Sequence, residues 1–148
     1  MRKPMQITVD FDGTCVMHDY PDIGQDVPDA VRGLKELVVR GDQLILFTMR
    51  SGKHLVDAVN WFKDNDIPLY GIQKDPKQHE WTSSPKAYGH RQIDDAAVGC
   101  PLVQYAHADR PCVLWYGTPE HPGVMDLLRD ELMLEYDLNG QLKFITNS

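Results

Sequence analysis

Short apolar runs alternate with amphipathic stretches along the chain. Residues 5–9 come first, where Ile7 and Val9 lead into Asp10-Phe11-Asp12-Gly13-Thr14. An apolar run meeting Asp and Gly predicts a strand ending in a loop. Residues 15–27 read as a loop, punctuated by Pro21, Gly24 and several acids. Pro28 suits a first helical position, Val31, Leu34, Leu37 and Val38 share one helical face, and Gly41 is a stop. A helix over 28–40 follows. Leu44-Ile45-Leu46-Phe47 is a continuous apolar run, as in a strand covered on both faces. After Thr48-Met49-Arg50-Ser51, Ser51 can cap a second helix with Leu55, Val59 and Phe62 on one face, ended by Asn65-Asp66.

The second half repeats the alternation less clearly. Residues 67–70 predict a third strand, 73–85 a polar loop with two prolines, and 86–88 a short helical piece. A fourth strand over 90–93 ends at Asp94-Asp95, and a fifth covers 112–116. Pro122 opens a helix aligning Val124, Leu128 and Leu132. The tail then alternates Leu134, Tyr136 and Leu138, turns at Asn139-Gly140, and resumes with Leu142 and Phe144, a hairpin signal. Strand–helix alternation predicts an α/β fold, with a mostly parallel sheet of about five strands and right-handed crossovers.

Composition narrows the function classes. The chain has 148 residues, 42% hydrophobic and 25% charged, which suits one globular domain over 1–148. Its net charge of −7 disfavours a general binder of nucleic acid or of anionic membranes. Cys15, Cys100 and Cys112 make an odd set without a CxxC pair, so neither a disulfide framework nor a zinc site is expected. The six histidines give no HExxH spacing. No secretory apolar core follows Met1-Arg2-Lys3, and no run approaches membrane-spanning length, so a cytoplasmic location is expected.

In open α/β sheets, ligands bind beyond the carboxyl ends of the strands. The predicted strand ends and their loops carry Asp10 with Asp12, Thr48, Lys86, and Asp94 with Asp95, which would meet at one sheet edge. Crowded carboxylates need a cation, and an all-oxygen ligand set suits Mg²⁺, which often bridges to a phosphate. A lysine can hold one phosphoryl oxygen and a threonine hydroxyl another. One aspartate can then attack phosphorus, splitting a hard hydrolysis into two steps. Asp12 can protonate the leaving oxygen and later activate water.

Asp10-Phe11-Asp12-Gly13-Thr14 resembles the first motif of the haloacid dehalogenase superfamily. Thr48, Lys86 and Asp94-Asp95 are similar to its second, third and fourth motifs, in the family's order. Residues 15–48, with the Tyr20-to-Gly24 segment, also resemble small capless phosphatases of that superfamily. From Pro101 onward nothing specific is shared. The resemblance implies a three-layer Rossmann-like fold without a cap domain; the gaps 15–47 and 49–85 are too short to hold one. It implies Asp10 as nucleophile and Mg²⁺ ligand, and Asp12 as acid/base with its carbonyl on the metal. Asp94 would be the second metal carboxylate, and Asp95 a direct or indirect ligand. Thr48, Lys86 and the Met49 N–H would grip the phosphoryl group. An aspartate at position 12 favours a phosphatase within the superfamily.

Each residue also has a plainer reading. Asp-x-Asp-Gly alone is more often a turn, Thr48 an ordinary strand-end residue, and Lys86 a solvated lysine. Lys53, Lys74 and Lys77 compete with Lys86, whose eight-residue spacing to Asp94 is family-like. Asp95 can simply cap the next segment. Ser51-Gly52-Lys53 is no phosphate loop, because Phe47 stands where glycine is required and His54 follows the lysine. Cys15 fills space, Trp61 and Trp115 suit the core, and Trp81 lies in a polar loop. His18 and Tyr20 either line the pocket mouth, touching the leaving group, or are surface loop residues.

The function expected is therefore Mg²⁺-dependent hydrolysis of a small phosphorylated metabolite, with no nucleic-acid or membrane partner. A phospho-acceptor signalling domain or a catalytically silent phosphate binder is the alternative. Without a cap, the site needs a cover. The candidates are the 15–27 loop, the 73–85 loop with Trp81, and a second copy docked through the 134–145 hairpin.

Overall fold

In the computed structural model, which describes residues 3–129 and 132–146, the first strand is Gln6–Val9 (β1). Its side chains at Ile7, Thr8 and Val9 are all buried, so both faces are covered. On one side it pairs in parallel with Gln43–Leu46 (β2), which pairs in turn with Gly71–Ile72 (β3). On its other side lies Arg91–Ile93 (β4), also parallel. The sheet order is therefore β3-β2-β1-β4. From β1 the chain builds outward in one direction through β2 and β3, and β4 then adds on the opposite side. That reversal creates a crevice beyond the carboxyl ends of β1 and β4.

Helix Ala30–Val39 (α1) connects β1 to β2, and Gly52–Asp64 (α2) connects β2 to β3. Both end in left-handed residues, Gly41 at φ 92° and Asp66 at φ 56°. In each, the two N–H groups past the cap return to the last turn: Gly41 to Val38 and Asp42 to Leu37, then Asp66 to Lys63 and Ile67 to Phe62. This is the Schellman arrangement, and it explains why both predicted stops hold. The starts differ from expectation. Pro28 precedes α1, whose cap position is Asp29 at φ 66°, and Ser51 occupies the cap position of α2 without a side-chain hydrogen bond.

Four predicted elements change. The third strand falls at 71–72 rather than 67–70, because the Ile67 N–H closes α2, Pro68 has no N–H, and pairing resumes only when Tyr70 donates to Leu44. Residues 86–88 are irregular, following a bend at 85–86, rather than a helical piece; the Lys86 carbonyl and the Tyr88 N–H bond to the buried Gln78, which sits in a 3₁₀ turn at Gln78–Glu80.

The fifth strand does not join the parallel sheet. Cys112–Val113 (β6) pairs antiparallel with Leu102–Val103 (β5), while the Val113 N–H donates to Gly13 and the Leu114 N–H to Pro101. Its partners are β5 and the loop after β1, so the parallel sheet among the described residues has four strands. Trp115 is buried as expected, and its indole N–H donates to the Thr14 carbonyl at 2.9 Å. The 112–116 segment thus buttresses the loop after β1.

Helix Val124–Arg129 (α3) starts two residues after Pro122, and its first N–H groups, of Val124 and Met125, bond to Leu114 and Trp115. Leu132 begins a strand instead of extending the helix, and its side chain lies outside the described residues. Leu132–Tyr136 (β7) and Leu142–Thr146 (β8) form the expected hairpin around Asn139-Gly140; the Leu134 side chain is likewise outside the described set. Among the described residues no helix is long and apolar enough to cross a membrane.

Candidate active site

Parallel register brings the site together. Val9 pairs with Ile93, and the Asp10 N–H donates to the Ile93 carbonyl at 2.9 Å, so Asp10 and Asp94 leave adjacent strands side by side. Asp10, Asp94 and Asp95 each offer a carboxylate oxygen within 4.8 Å of the others. Burial raises the Asp10 carboxyl from 3.8 to about 8, helped by a hydrogen bond to Asp95 and the charges of Asp94 and Asp95. The Thr14 hydroxyl, donating to Asp10 Oδ2 at 3.0 Å, pulls the other way. A carboxyl held protonated this far above its usual range marks a place that wants a positive charge. The donor set is all oxygen, which fits a hard divalent cation held by Asp10, Asp94 and Asp95.

The loop after β1 is tightly built around this cluster. Gly13 adopts φ 85°, and His18 and Asp95 leave no room for a Cβ there. Thr14 Oγ also accepts the Asp95 N–H at 3.3 Å, which ties the β1 and β4 ends together. His18 Nε2 lies 2.9 Å from Asp95 Oδ2 and so faces an acid of the cluster rather than a pocket mouth. Cys15 is fully buried, its thiol donating to the Asp10 carbonyl at 3.4 Å. Residues 15–27 are not an open loop. Val16 bridges to both Asp12 and Asp26, and Met17 and Val27 donate to Gln25 and Cys15.

A cavity of about 490 Å³ opens on the cluster, lined by Asp10, Thr48, Met49, Gln73, Lys74 and Asp94 among others. Thr48 Oγ accepts the Arg50 N–H at 3.1 Å, leaving the hydroxyl proton able to donate into the cavity. Gln73 sets the Thr48 backbone. Its side-chain amide accepts the Thr48 N–H at 2.9 Å and donates to the Thr48 carbonyl at 2.7 Å, imitating a strand partner. Gln73 does this from φ 66°, a left-handed conformation uncommon outside glycine.

Not every expected residue reaches this cavity. Lys86 lines a neighbouring one of about 390 Å³ with Trp81, Ser84 and Tyr88, while Pro85 lies on the wall of the Asp10 cavity. The lysine on that wall is Lys74. Tyr20 packs edge-on against His54 with ring centroids 5.5 Å apart. Asp12 stands apart from the three-carboxylate cluster, and Arg50 holds both its oxygens at 2.7 Å. A larger cavity of about 680 Å³ runs along the β3 edge past Phe62, Tyr70 and Pro76; it holds no group of acids and is set aside as the reacting site.

Sequence reasoning missed Arg50 and Gln73. Arg50 has no acid within four residues along the chain, a weak sign that its charge must be met from elsewhere in the fold. Nothing local marks Gln73.

Fold and site together define a parallel α/β protein with an acid-lined site at the strand-order reversal. No family model and no curated protein matches the chain. A conserved protein from Bacteroides thetaiotaomicron, known from its structure, is 39% identical, with a TM-score of 0.62 over 66% of this chain and 80% of that one. The chain belongs to the same family as that conserved protein.

Proposed function

We propose that the protein is a Mg²⁺-dependent phosphate monoester hydrolase of the haloacid dehalogenase type, working through an aspartyl-phosphate on Asp10. One observation carries this reading: the half-buried Asp10, raised to about 8 beside Asp94 and Asp95, shares a cavity with Thr48 and Lys74. Such a set matches a phosphoryl group and the cation that accompanies it. Held by Asp10, Asp94 and Asp95, Mg²⁺ would neutralise the carboxylates and draw charge from the phosphoryl oxygens.

The chain's own groups supply the rest. A carboxylate oxygen of Asp10 attacks phosphorus, the new O–P bond forms, and the ester P–O bond breaks. The resemblance makes Asp12 the proton donor to the departing ester oxygen, which leaves as an alcohol; because Arg50 holds both Asp12 oxygens at 2.7 Å, that role requires Asp12 to leave the guanidinium and take up a proton first. In the second step Asp12 takes a proton from water, whose oxygen attacks phosphorus; the Asp10–phosphorus bond breaks and inorganic phosphate leaves. Thr14 orients the Asp10 carboxylate through its 3.0 Å hydrogen bond. The Thr48 hydroxyl, the Met49 N–H and a lysine hold the non-bridging oxygens. Resemblance names that lysine as Lys86; the cavity wall favours Lys74.

The test is hydrolysis of p-nitrophenyl phosphate with Mg²⁺ and with EDTA, followed by a screen of phosphorylated metabolites. Turnover with Mg²⁺, its loss in EDTA and its loss in Asp10→Asn are expected. A folded wild-type protein inactive on every ester with Mg²⁺ rejects the reading.

A further inference from the structure

The second cavity, of about 390 Å³, has a wall that hangs on one buried side chain. Gln78 is 1% exposed. Its amide donates to the Lys86 carbonyl at 2.6 Å and the Ser84 carbonyl at 3.3 Å, and its Oε1 accepts the Tyr88 N–H at 2.8 Å. The Gln78 carbonyl accepts the Trp81 N–H at 3.2 Å and the Thr82 N–H at 3.1 Å. All five partners line the cavity, so a single buried residue fixes the backbone of its wall.

Two sides of that wall are aromatic. Trp81 is 63% exposed, yet its ring meets the Tyr88 ring at 90° with centroids 5.5 Å apart. Tyr88 leans in turn on His90, with centroids at 5.3 Å. His90 Nδ1 accepts the Gln6 N–H at 3.0 Å, so its proton sits on Nε2, which donates to the Tyr88 hydroxyl at 3.3 Å. Two rings held at right angles suit a flat guest. Lying face-on to one ring, it turns its edge to the other, and both geometries are favourable. Lys86 is the one charged group of the lining, so a cationic guest would find no counter-charge. The two cavities are neighbours. Pro85 lines the Asp10 cavity while Ser84 and Lys86 line the other, and Gln92 lines the second cavity while Asp94 lines the first. Two residues of extended chain span about 7 Å.

We propose that the Trp81 cavity is the leaving-group subsite, taking an uncharged aromatic ring tethered to the phosphoryl oxygen and stacked on Trp81. This rests on the phosphatase reading above and names the substrate class of that site: phosphate monoesters of arylalkyl alcohols.

The experiment compares kcat/KM, with Mg²⁺ present, for 2-phenylethyl phosphate, 2-cyclohexylethyl phosphate and phosphocholine, which share one tether and differ in the head. The proteins are wild type, Trp81→Ala and Trp81→Phe. Wild type should prefer the phenyl over the cyclohexyl ester about fivefold, the amount that ring–ring contact adds beyond area burial. Trp81→Ala should abolish that preference and Trp81→Phe should restore most of it. No preference in wild type, or a preference untouched by Trp81→Ala, overturns the assignment and leaves the phosphatase reading standing. A larger Trp81→Ala loss on phosphocholine than on the phenyl ester also overturns it. Binding supplies a readout free of turnover. Calorimetry of 3-phenylpropylphosphonate and 3-cyclohexylpropylphosphonate should show the same Trp81-dependent preference. Iodide quenching of wild-type fluorescence reads Trp81, because Trp61 and Trp115 are buried, and 3-phenylpropylphosphonate should reduce it. Unchanged quenching overturns the assignment even if the variants fail to fold. A wild type inactive on every ester rejects the phosphatase reading, and the phosphonate pair then decides the subsite alone: a Trp81-dependent preference supports it and equal binding overturns it.

Discussion

In metal-free protein, Asp10 is expected to make stability fall as pH rises. Its unfolded-state value is the ordinary 3.8 and its folded value about 8, so between these limits the folded state holds a proton the unfolded state has released. Stability from this group is therefore full below the unfolded value and declines at about 1.4 kcal/mol per pH unit until the folded value is passed. A cation at Asp10, Asp94 and Asp95 displaces that proton and removes the decline. The stabilisation given by saturating Mg²⁺ over EDTA should then grow between pH 6 and pH 8 by up to about 2.7 kcal/mol. For a chain of this size that is roughly 5–10 °C of additional Tm difference. Thermal melts with Mg²⁺ and with EDTA at each pH give the number directly, because every group outside the site cancels in the difference. Asp10→Asn is the control: without the titrating carboxyl the Mg²⁺ effect should be small and flat with pH, and the EDTA melt at pH 8 should not fall below wild type. A Mg²⁺ effect of equal size at both pH values, or none at either, refutes the reasoning.

Further expectations concern single side chains. Asp94→Ala should weaken Mg²⁺ binding at least about tenfold, as loss of one carboxylate of three implies, and lower turnover; calorimetry reads the first and the nitrophenyl assay the second. Lys74→Ala should relieve inhibition by inorganic phosphate more than Lys86→Ala does, following their places in the two cavities, and the reverse order would give the phosphoryl contact to Lys86. His18→Ala should reduce Mg²⁺ affinity, through the Asp95 carboxylate it contacts, and leave the ranking of phosphate esters unchanged. Trp115→Ala should destabilise by about 3–5 kcal/mol, the usual result of emptying a buried aromatic site, and Trp115→Phe by less; denaturant melts measure both.

The local sequence determined the elements whose signals are short-range. The run Leu44-Ile45-Leu46 had to be a covered strand because its side chains are apolar on both faces, and it is buried on both. Gly41 had to end a helix because it alone among nearby residues adopts φ 92° without strain. The positions of the Asp10-to-Thr14 turn, Thr48 and Asp94-Asp95 beyond strand ends were legible, because each follows a strand that the apolar pattern marks. Tertiary structure decided what depends on contacts far apart in the chain. Parallel register of β1 with β4 set Asp10 against Asp94 and Asp95, and that crowding together with partial burial raises the Asp10 carboxyl. The 112–116 run reads as one more strand by composition and is one at Cys112–Val113, yet it pairs antiparallel with β5 instead of joining the parallel sheet, since partner choice is a property of the whole fold. Arg50 and Gln73 could not be placed at all from the sequence. Arg50 has its carboxylate 38 positions away at Asp12, and Gln73 has its backbone partner 25 positions away at Thr48; periodicity carries no information over such distances.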